Sequence, residues 1–265
     1  MFTVPTGLDI LIYLAFPIGV ILLICAVVRF IQWRAVFGEL KTITATETST
    51  VAELKEVIEA ITSCLGNADI FRQQVEVKGL IHCSEPMIAE LSAKPCVYAR
   101  SLYEEKFEET YTYEGKTKTR QDSQDSVVLA DNTCSVIFQL EDDTGSITIN
   151  PVGANVEAIE VVNRYEANKN AEKLGNKRSL GHQYNEWILP VGQRIYVLGE
   201  ISISNDHVVI EKPLQEAYPF LITHRLEDQI VGAKRVKARR HLIDSIIYLI
   251  VGVLITFVSM VVFHN

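Results

Sequence analysis

Two runs without a charged residue, one near each end, most constrain what this chain can fold into. "ILIYLAFPIGVILLICAVV", residues 10–28, and "IIYLIVGVLITFVSMVVF", residues 246–263, hold nineteen and eighteen residues. At about 1.5 Å per residue each reaches roughly 27–29 Å, close to a hydrocarbon core of about 30 Å. Both read as transmembrane helices, bounded at 10–28 and 243–263. The rival reading of the first is a cleaved signal peptide. However, "MFTVPTGLD" has no Lys or Arg, and no small-x-small cleavage pattern follows the run. Cys25 after "LLI" has the place of a lipoprotein acylation site, but Ile24 is bulky where a small residue is expected. Pro17 is tolerated in a membrane helix.

Basic residues beside a span are retained on the cytoplasmic side. The inner flanks carry Arg29, Arg34 and Lys41, then Lys234, Arg235, Lys237, Arg239 and Arg240, whereas residues 1–9 and the final "HN" carry none. The expected topology is a two-pass protein of a prokaryotic cell membrane with its central region in the cytoplasm. Trp33 between Arg29 and Arg34 marks a membrane-surface anchor, and "KRVKARR" sits where it meets headgroups. Five cysteines without an even, close-spaced framework favour a reducing compartment.

All but Asp9 and Asp244 of the 33 acidic residues, and all but Arg29 of the 25 basic ones, fall in residues 30–241. That leaves the region with a net charge of about −7, and nucleic-acid binding, which needs a basic face, is disfavoured. Residues 29–50 read as a juxtamembrane connector. Next, "TSTVAELKEVIEAITSCLGN" offers Thr50 as N-cap with Glu53 three residues on, Val51, Leu54, Val57, Ile58 and Ile61 at helical spacing, and Gly66 as a stop.

From Gln74 onward the apolar period becomes two, in short runs bounded by Gly, Pro and Asn. "VEVKGLIHC", "CVYARSLYEEKFEETYTY" with a turn at Glu114–Gly115, "CSVIFQL", "SITINP" and "QRIYVLGEISIS" paired with "HVVIEKP" across Asn205–Asp206 are strand candidates. "KTKTRQDSQDS" reads as an exposed arm or loop, and "AIEVVNRYEANKNAEKLGNKRSLGHQYNEW" as a strand end followed by a loop or short helix. The expected fold is α+β, mainly β: an antiparallel barrel or sandwich over residues 51–241, flanked by two membrane helices.

Several blocks, in order, resemble the GIDE or beside-a-membrane domain of mitochondrial and chloroplast membrane E3 ubiquitin ligases and their bacterial and archaeal relatives. They are "VEVKGLI", "KPCVYAR", "FQLEDDTGSITINPVGA", "LPVGQRIYVLGE" and "YPFLIT". The resemblance implies a structural role for Gly79, Pro95, Cys96, Tyr98, Asp143, Thr144, Gly145, Pro151, Gly153, Ala154, Pro190, Gly192, Gly199 and Glu200. In the eukaryotic ligases a zinc-binding RING follows the second span, whereas this sequence reads "VVFHN" there and has no Cys-x-x-Cys pair. The resemblance thus implies family membership without the ligase machinery. In the mitochondrial ligases the domain faces the intermembrane space, against the cytoplasmic side expected from the basic flanks here.

The triplet Glu141, Asp142, Asp143 has the oxygens for Mg²⁺ or Ca²⁺ but not the ligand spread of a calcium loop. A hairpin tip explains it more simply, with Gly145 at the turn and Asp143 accepting from the turn backbone. Cys83, Cys96, Cys134 and His82 have zinc-binding types without zinc spacing. Strand alternation places Cys96, Tyr98 and Arg100 on one face with Val97 on the other, and a buried Cys96 is favoured over a thiolate activated by Lys94. His182, His207 and His224 stand apart in sequence, and no nucleophile elbow, phosphate loop or dinucleotide fingerprint occurs. No catalytic residue, metal or cofactor is expected. The expected partners are the lipid bilayer and another protein. The rival functions are a ligase lent its RING by a partner chain, and a membrane-associated ligand sensor or hydrolase.

Overall fold

A computed structural model describes residues 7–45, 48–65, 71–113, 116–120, 126–168, 173–174, 177–204, 207–216, 218–225 and 227–264. They form two compact units, one from the two ends of the chain and one from residues 46–226.

The terminal unit is a pair of long helices, α1 (Gly7–Ala45) and α3 (Glu227–His264). They run antiparallel. Lys234 Nζ meets Glu39 Oε2 at 2.6 Å, Ser245 Oγ donates to the Ala26 carbonyl at 2.9 Å, and Gly252 lies against Gly19. A Cβ on Gly19 would come within 2.6 Å of Thr256 Cγ2, so small residues let the backbones approach, as in helix pairs within lipid. Each helix is about 57–58 Å long, nearly twice a hydrocarbon core. Stretches of both, Ala15–Thr44 and Gln229–Val261, are long and apolar enough to cross a membrane. Residues 29–45, read from sequence as connector, continue α1, and residues 227–241 belong to α3 rather than to the β-rich region. The Thr-rich composition gave no helical signal. Thr42 and Thr44 hydroxyls donate back to the Gly38 and Leu40 carbonyls within the helix.

The central unit is built on a closed barrel of five strands. They are β1 (Arg72–His82), β6 (Phe138–Asp142), β7 (Gly145–Ile149), β12 (Arg194–Ser204) and β13 (His207–Glu211). Around the barrel the order is β1-β6-β7-β13-β12 and back to β1. Every pair is antiparallel except β7 with β13. In barrel order this is 1-2-3-5-4-1, a five-stranded Greek-key barrel of the OB type. Its interior is filled by Val75, Val77, Ile81, Phe138, Leu140, Ile147, Ile149, Ile195, Val197, Ile201 and Ile210, all buried. Helix α2 (Val51–Leu65) adds Val51, Leu54 and Ile58 to this core. β14 (Leu221–Thr223) pairs with β12, and β8 (Asn155–Glu157) lies parallel to β14.

Two insertions into the barrel, residues 83–137 and 150–193, make a second sheet. Its centre is β3 (Pro95–Tyr113) against β11 (Lys177–Pro190), flanked by β5 (Ser126–Ser135) on β3 and β9 (Ile159–Ala167) on β11. β2 (Met87–Ile88), β4 (Lys116–Arg120) and β10 (Lys173–Leu174) complete it. The polar stretch read as a loop or short helix is therefore mostly long strands. β9 beyond Val162 is exposed on both faces, and β11 has buried residues on both, Asn185 beside Glu186 and Ile188 beside Leu189, so the alternation that betrays a half-buried strand is missing. The turns expected at Glu114–Gly115 and Asn205–Asp206, and the Gly66 stop, lie outside the described residues.

Candidate functional site

The acidic tip at 141–145 is a hairpin whose two-residue loop is Asp143–Thr144. Its turn acceptor is Asp142, not Asp143. Asp142 Oδ1 accepts from Thr144 N at 2.8 Å, Thr144 Oγ1 at 2.6 Å and Gly145 N at 3.0 Å. The tip also serves α2. The first N–H groups of a helix lack intrahelical partners, and here all four are met. Thr50 N donates to Glu53 Oε2 at 2.8 Å and Glu53 N to Thr50 Oγ1 at 3.3 Å, the reciprocal capping box. Val51 N donates to Asp142 Oδ2 at 2.9 Å and Ala52 N to Thr144 Oγ1 at 3.0 Å. Burial works against ionisation of Asp142, but the hydrogen bonds from Thr144, Val51 and Gly145 hold its carboxyl below the usual range. Gly145 admits α2, since a Cβ there would lie 3.3 Å from Val51 Cγ1.

Two further carboxylates are fully buried. Glu76 on β1 accepts from Tyr196 Oη at 2.9 Å and from the Thr48 hydroxyl, and lies 3.1 Å from Lys78 Nζ. Lys78 in turn donates to Thr48 at 2.8 Å, and Ser49 N donates to the Glu76 carbonyl at 2.9 Å. Glu76 thus fastens the segment before α2 along the edge of β1. Glu186 on β11 accepts from Leu91 N at 2.7 Å, Ser92 N at 2.9 Å and, more weakly, Ser101 Oγ at 3.4 Å. Burial opposes its ionisation, yet the hydrogen bonds from Ser92 and Leu91 keep its carboxyl below the ordinary value. The loop wrapped on it holds Ala93 at a φ of 54°, a left-handed backbone unusual outside glycine.

Of the residues singled out in sequence, Gly79 permits barrel closure, because a Cβ there would meet the Glu141 carbonyl oxygen at 2.4 Å. "PVGA" and "PVGQ" form the same turn. Ala154 N donates to the Pro151 carbonyl and Gln193 N to the Pro190 carbonyl, with Gly153 and Gly192 at φ of 81° and 80°, the type II position that calls for glycine. The second turn also binds β1, through Gly192 N to the Ile81 carbonyl at 2.8 Å. Gly199 sits under Ile210 and Phe220, and Glu200 beside it accepts from Arg72 at 2.8 Å. Pro95 opens β3 at the surface.

Cys96 and Tyr98 do not share a face. Tyr98 pairs with Leu189 and Cys96 with Pro190, so Val97 is an extra residue in a β-bulge. Val97 and Tyr98 pack on the barrel core, whereas Cys96 is buried with Ala89, Ala99 and Ile188. Burial, then the charge of Glu186, pushes the Cys96 thiol up to about 11, which keeps it protonated and inert. Cys83 lies just past the end of β1 and Cys134 on β5, and among the described residues no three His, Cys, Asp or Glu side chains group as metal ligands.

Of the basic residues, Arg29, Trp33 and Arg34 lie on α1, and Lys234, Arg235, Lys237, Arg239 and Arg240 on α3. Trp33 stacks on Phe37 with centroids 5.5 Å apart and meets Phe30 at a tilt, 5.3 Å away. A groove of about 280 Å³ on the central unit is lined by Tyr98, Arg100, Glu157, Trp187 and Arg225. Arg100 makes two 2.8 Å bonds to Asp131 and lies over Trp187 at 5.6 Å, and Glu157 accepts from Thr223 and lies 3.6 Å from Arg225. Its charges are paired within the protein. Glu76, Glu186, Asp142 and Arg100 were not foreseen as site residues. Their partners are mostly dozens of positions away, and only Asp142, in the acidic triplet, left a local trace.

No curated protein and no solved structure matches the chain significantly. The GIDE family, described as E3 ubiquitin ligase, matches residues 108–257, more than half of the 265. That range takes in the Asp142 hairpin, both Pro-Val-Gly turns, β12 and much of α3. The chain belongs to the GIDE family.

Proposed function

We propose that this is a two-pass membrane protein whose GIDE unit works as an interaction or scaffolding module, held in the cytoplasm beside a prokaryotic cell membrane. The carrying observation is where the free chemistry lies. The barrel interior is filled, and Glu76, Glu186 and Asp142 are committed to holding segments of their own chain. Edge strand β5, by contrast, pairs only with β3 among the described residues and leaves Val127, Val128 and Leu129 about half exposed. An unpaired edge with apolar side chains is a template for an added strand of another protein. The cytoplasmic side rests on the basic flanks. A photo-crosslinker at position 128 in native membranes should form one dominant adduct that the same probe at position 164, on β9, does not. Equal adduct patterns at both positions would reject the module reading. For the topology, membrane-impermeant maleimide should leave the exposed Cys64 and Cys134 unlabelled in intact cells.

The family description favours a second reading, a ligase whose RING comes from a partner chain. With no Cys-x-x-Cys pair in these residues, ubiquitin transfer by the purified protein alone should be blank.

A further inference from the structure

We propose that the cleft between α1 and α3, just beyond their apolar runs, binds an anionic phospholipid. Nearer the middle of the runs the helices meet through small residues, Gly19 against Gly252 and Ala26 against Ser245. Beyond them, Trp33, Phe37 and Leu40 of α1 face Ala238 and Leu242 of α3, and a cleft of about 450 Å³ opens. Its size falls within the roughly 300–1,000 Å³ of small-molecule sites. Trp33 and Phe37, stacked with centroids 5.5 Å apart, make one wall an aromatic surface.

The rim is cationic. Lys41, Arg235 and Arg239 line the cleft, the two arginines four positions apart and therefore on one side of α3. Lys234 is matched by Glu39, but no carboxylate among the described residues lies within ion-pair distance of Lys41, Arg235 or Arg239. Lys237 and Arg240 do not line the cleft. The basic run is thus divided: part is neutralised, part is spread around the helix, and two arginines join a lysine from the other helix over an apolar floor. Arginine's planar fork suits a phosphate, and the floor suits the glycerol and first carbons of an acyl chain. A free anion would leave that floor in water. The site depends on the two helices crossing a bilayer, and it is independent of the edge of β5.

The test uses Trp33 as its own probe. The chain has two tryptophans, so the full-length Trp187→Phe protein reports from Trp33 alone. It is reconstituted in phosphatidylcholine vesicles carrying brominated phosphatidylglycerol or brominated phosphatidylcholine. Quenching by the anionic lipid should reach half-maximum at a mole fraction at least five-fold lower than by the zwitterionic one. Arg235→Gln with Arg239→Gln should abolish that preference, while Lys237→Gln with Arg240→Gln, an equal loss of charge, should keep it. Equal quenching by the two lipids overturns the proposal, as does equal loss of preference in both double variants, which would mean diffuse surface charge. Displacement of the brominated lipid by soluble glycerol phosphate would also overturn it, because the occupant would then be a free anion. Alkaline-wash retention of every variant in the vesicles checks membrane insertion separately.

Discussion

The barrel and the second sheet are built from the same stretch of chain and solve opposite problems. Five strands close on themselves, leave an edge of β12 to β14 and an edge of β1 to Thr48 and Ser49, and fill the lumen mainly with branched aliphatics. The inserted strands stay open, expose β5 and β9 at their sides, and are dressed with surface pairs such as Arg178 with Glu108 and Lys177 over Phe107. Closure fixes the fold, and openness leaves the edge on which the proposed partner would dock. The two regions meet where Val97 and Leu189, at the base of β3 and β11, enter the barrel core.

The largest effect should come from forcing the barrel apart. Gly79→Val places a side chain against the Glu141 carbonyl and should cost about 3 kcal/mol or more. Gly181→Ala makes a similar clash in the second sheet, 2.2 Å from the Glu166 carbonyl oxygen at a φ of 149°. There the damage should stay local, because open sheets fray without global unfolding. Hydrogen exchange on the full chain in detergent separates the two: Gly79→Val should raise exchange in all five barrel strands, Gly181→Ala only along β9 and β11. Barrel-wide exchange in both would mean that the two regions unfold as one.

Next in size is the clamp within the second sheet, where Glu186 of β11 holds the loop at Leu91 and Ser92. Glu186→Ala leaves the half-buried Leu91 and Ser92 N–H groups without their acceptor and should cost about 2–3 kcal/mol by denaturant melting, with Glu186→Gln milder. Asp142→Ala strips α2 of a distant cap and should cost about 1–2 kcal/mol. Both carboxyls titrate below their ordinary values when folded. Their contribution is therefore complete above the unfolded values, at about pH 5, and is lost as the pH falls through the folded ones. Glu186→Gln and Asp142→Asn should flatten the acid limb of the stability profile, and an unchanged limb would deny these groups their charge-dependent role.

The same contrast explains what could be read in the sequence. The α2 helix was legible because Thr50, Glu53 and the apolar spacing are local signals, and the hairpin around Gly145 was legible from its alternating flanks. The Asp142 cap was not, since its donors lie some ninety positions earlier. Glu76 was not legible either: it alternates with Val75 and Val77 in "VEVKG", and alternation cannot show that Thr48 and Tyr196 cover its face. The bulge at Val97 moved Cys96 away from Tyr98 for the same reason: register is settled by the partner strand β11. β9 and β11 left no periodic trace for different reasons: β9 is exposed on both faces beyond Val162, and β11 buries neighbours on opposite faces, Asn185 with Glu186 and Ile188 with Leu189.

The smallest effect on stability should accompany the largest on association. Val127→Lys with Leu129→Lys places two charges on the open edge and should change the melting free energy by less than about 0.5 kcal/mol, because both side chains are exposed. The direct test of the account is purification of the wild-type and doubly substituted full-length proteins from native membranes after mild cross-linking. The account predicts a stoichiometric protein partner with the wild type and its loss from the variant, with the fold unchanged. Recovery of no partner by the wild type, or of the same partner at the same yield by both, would contradict it.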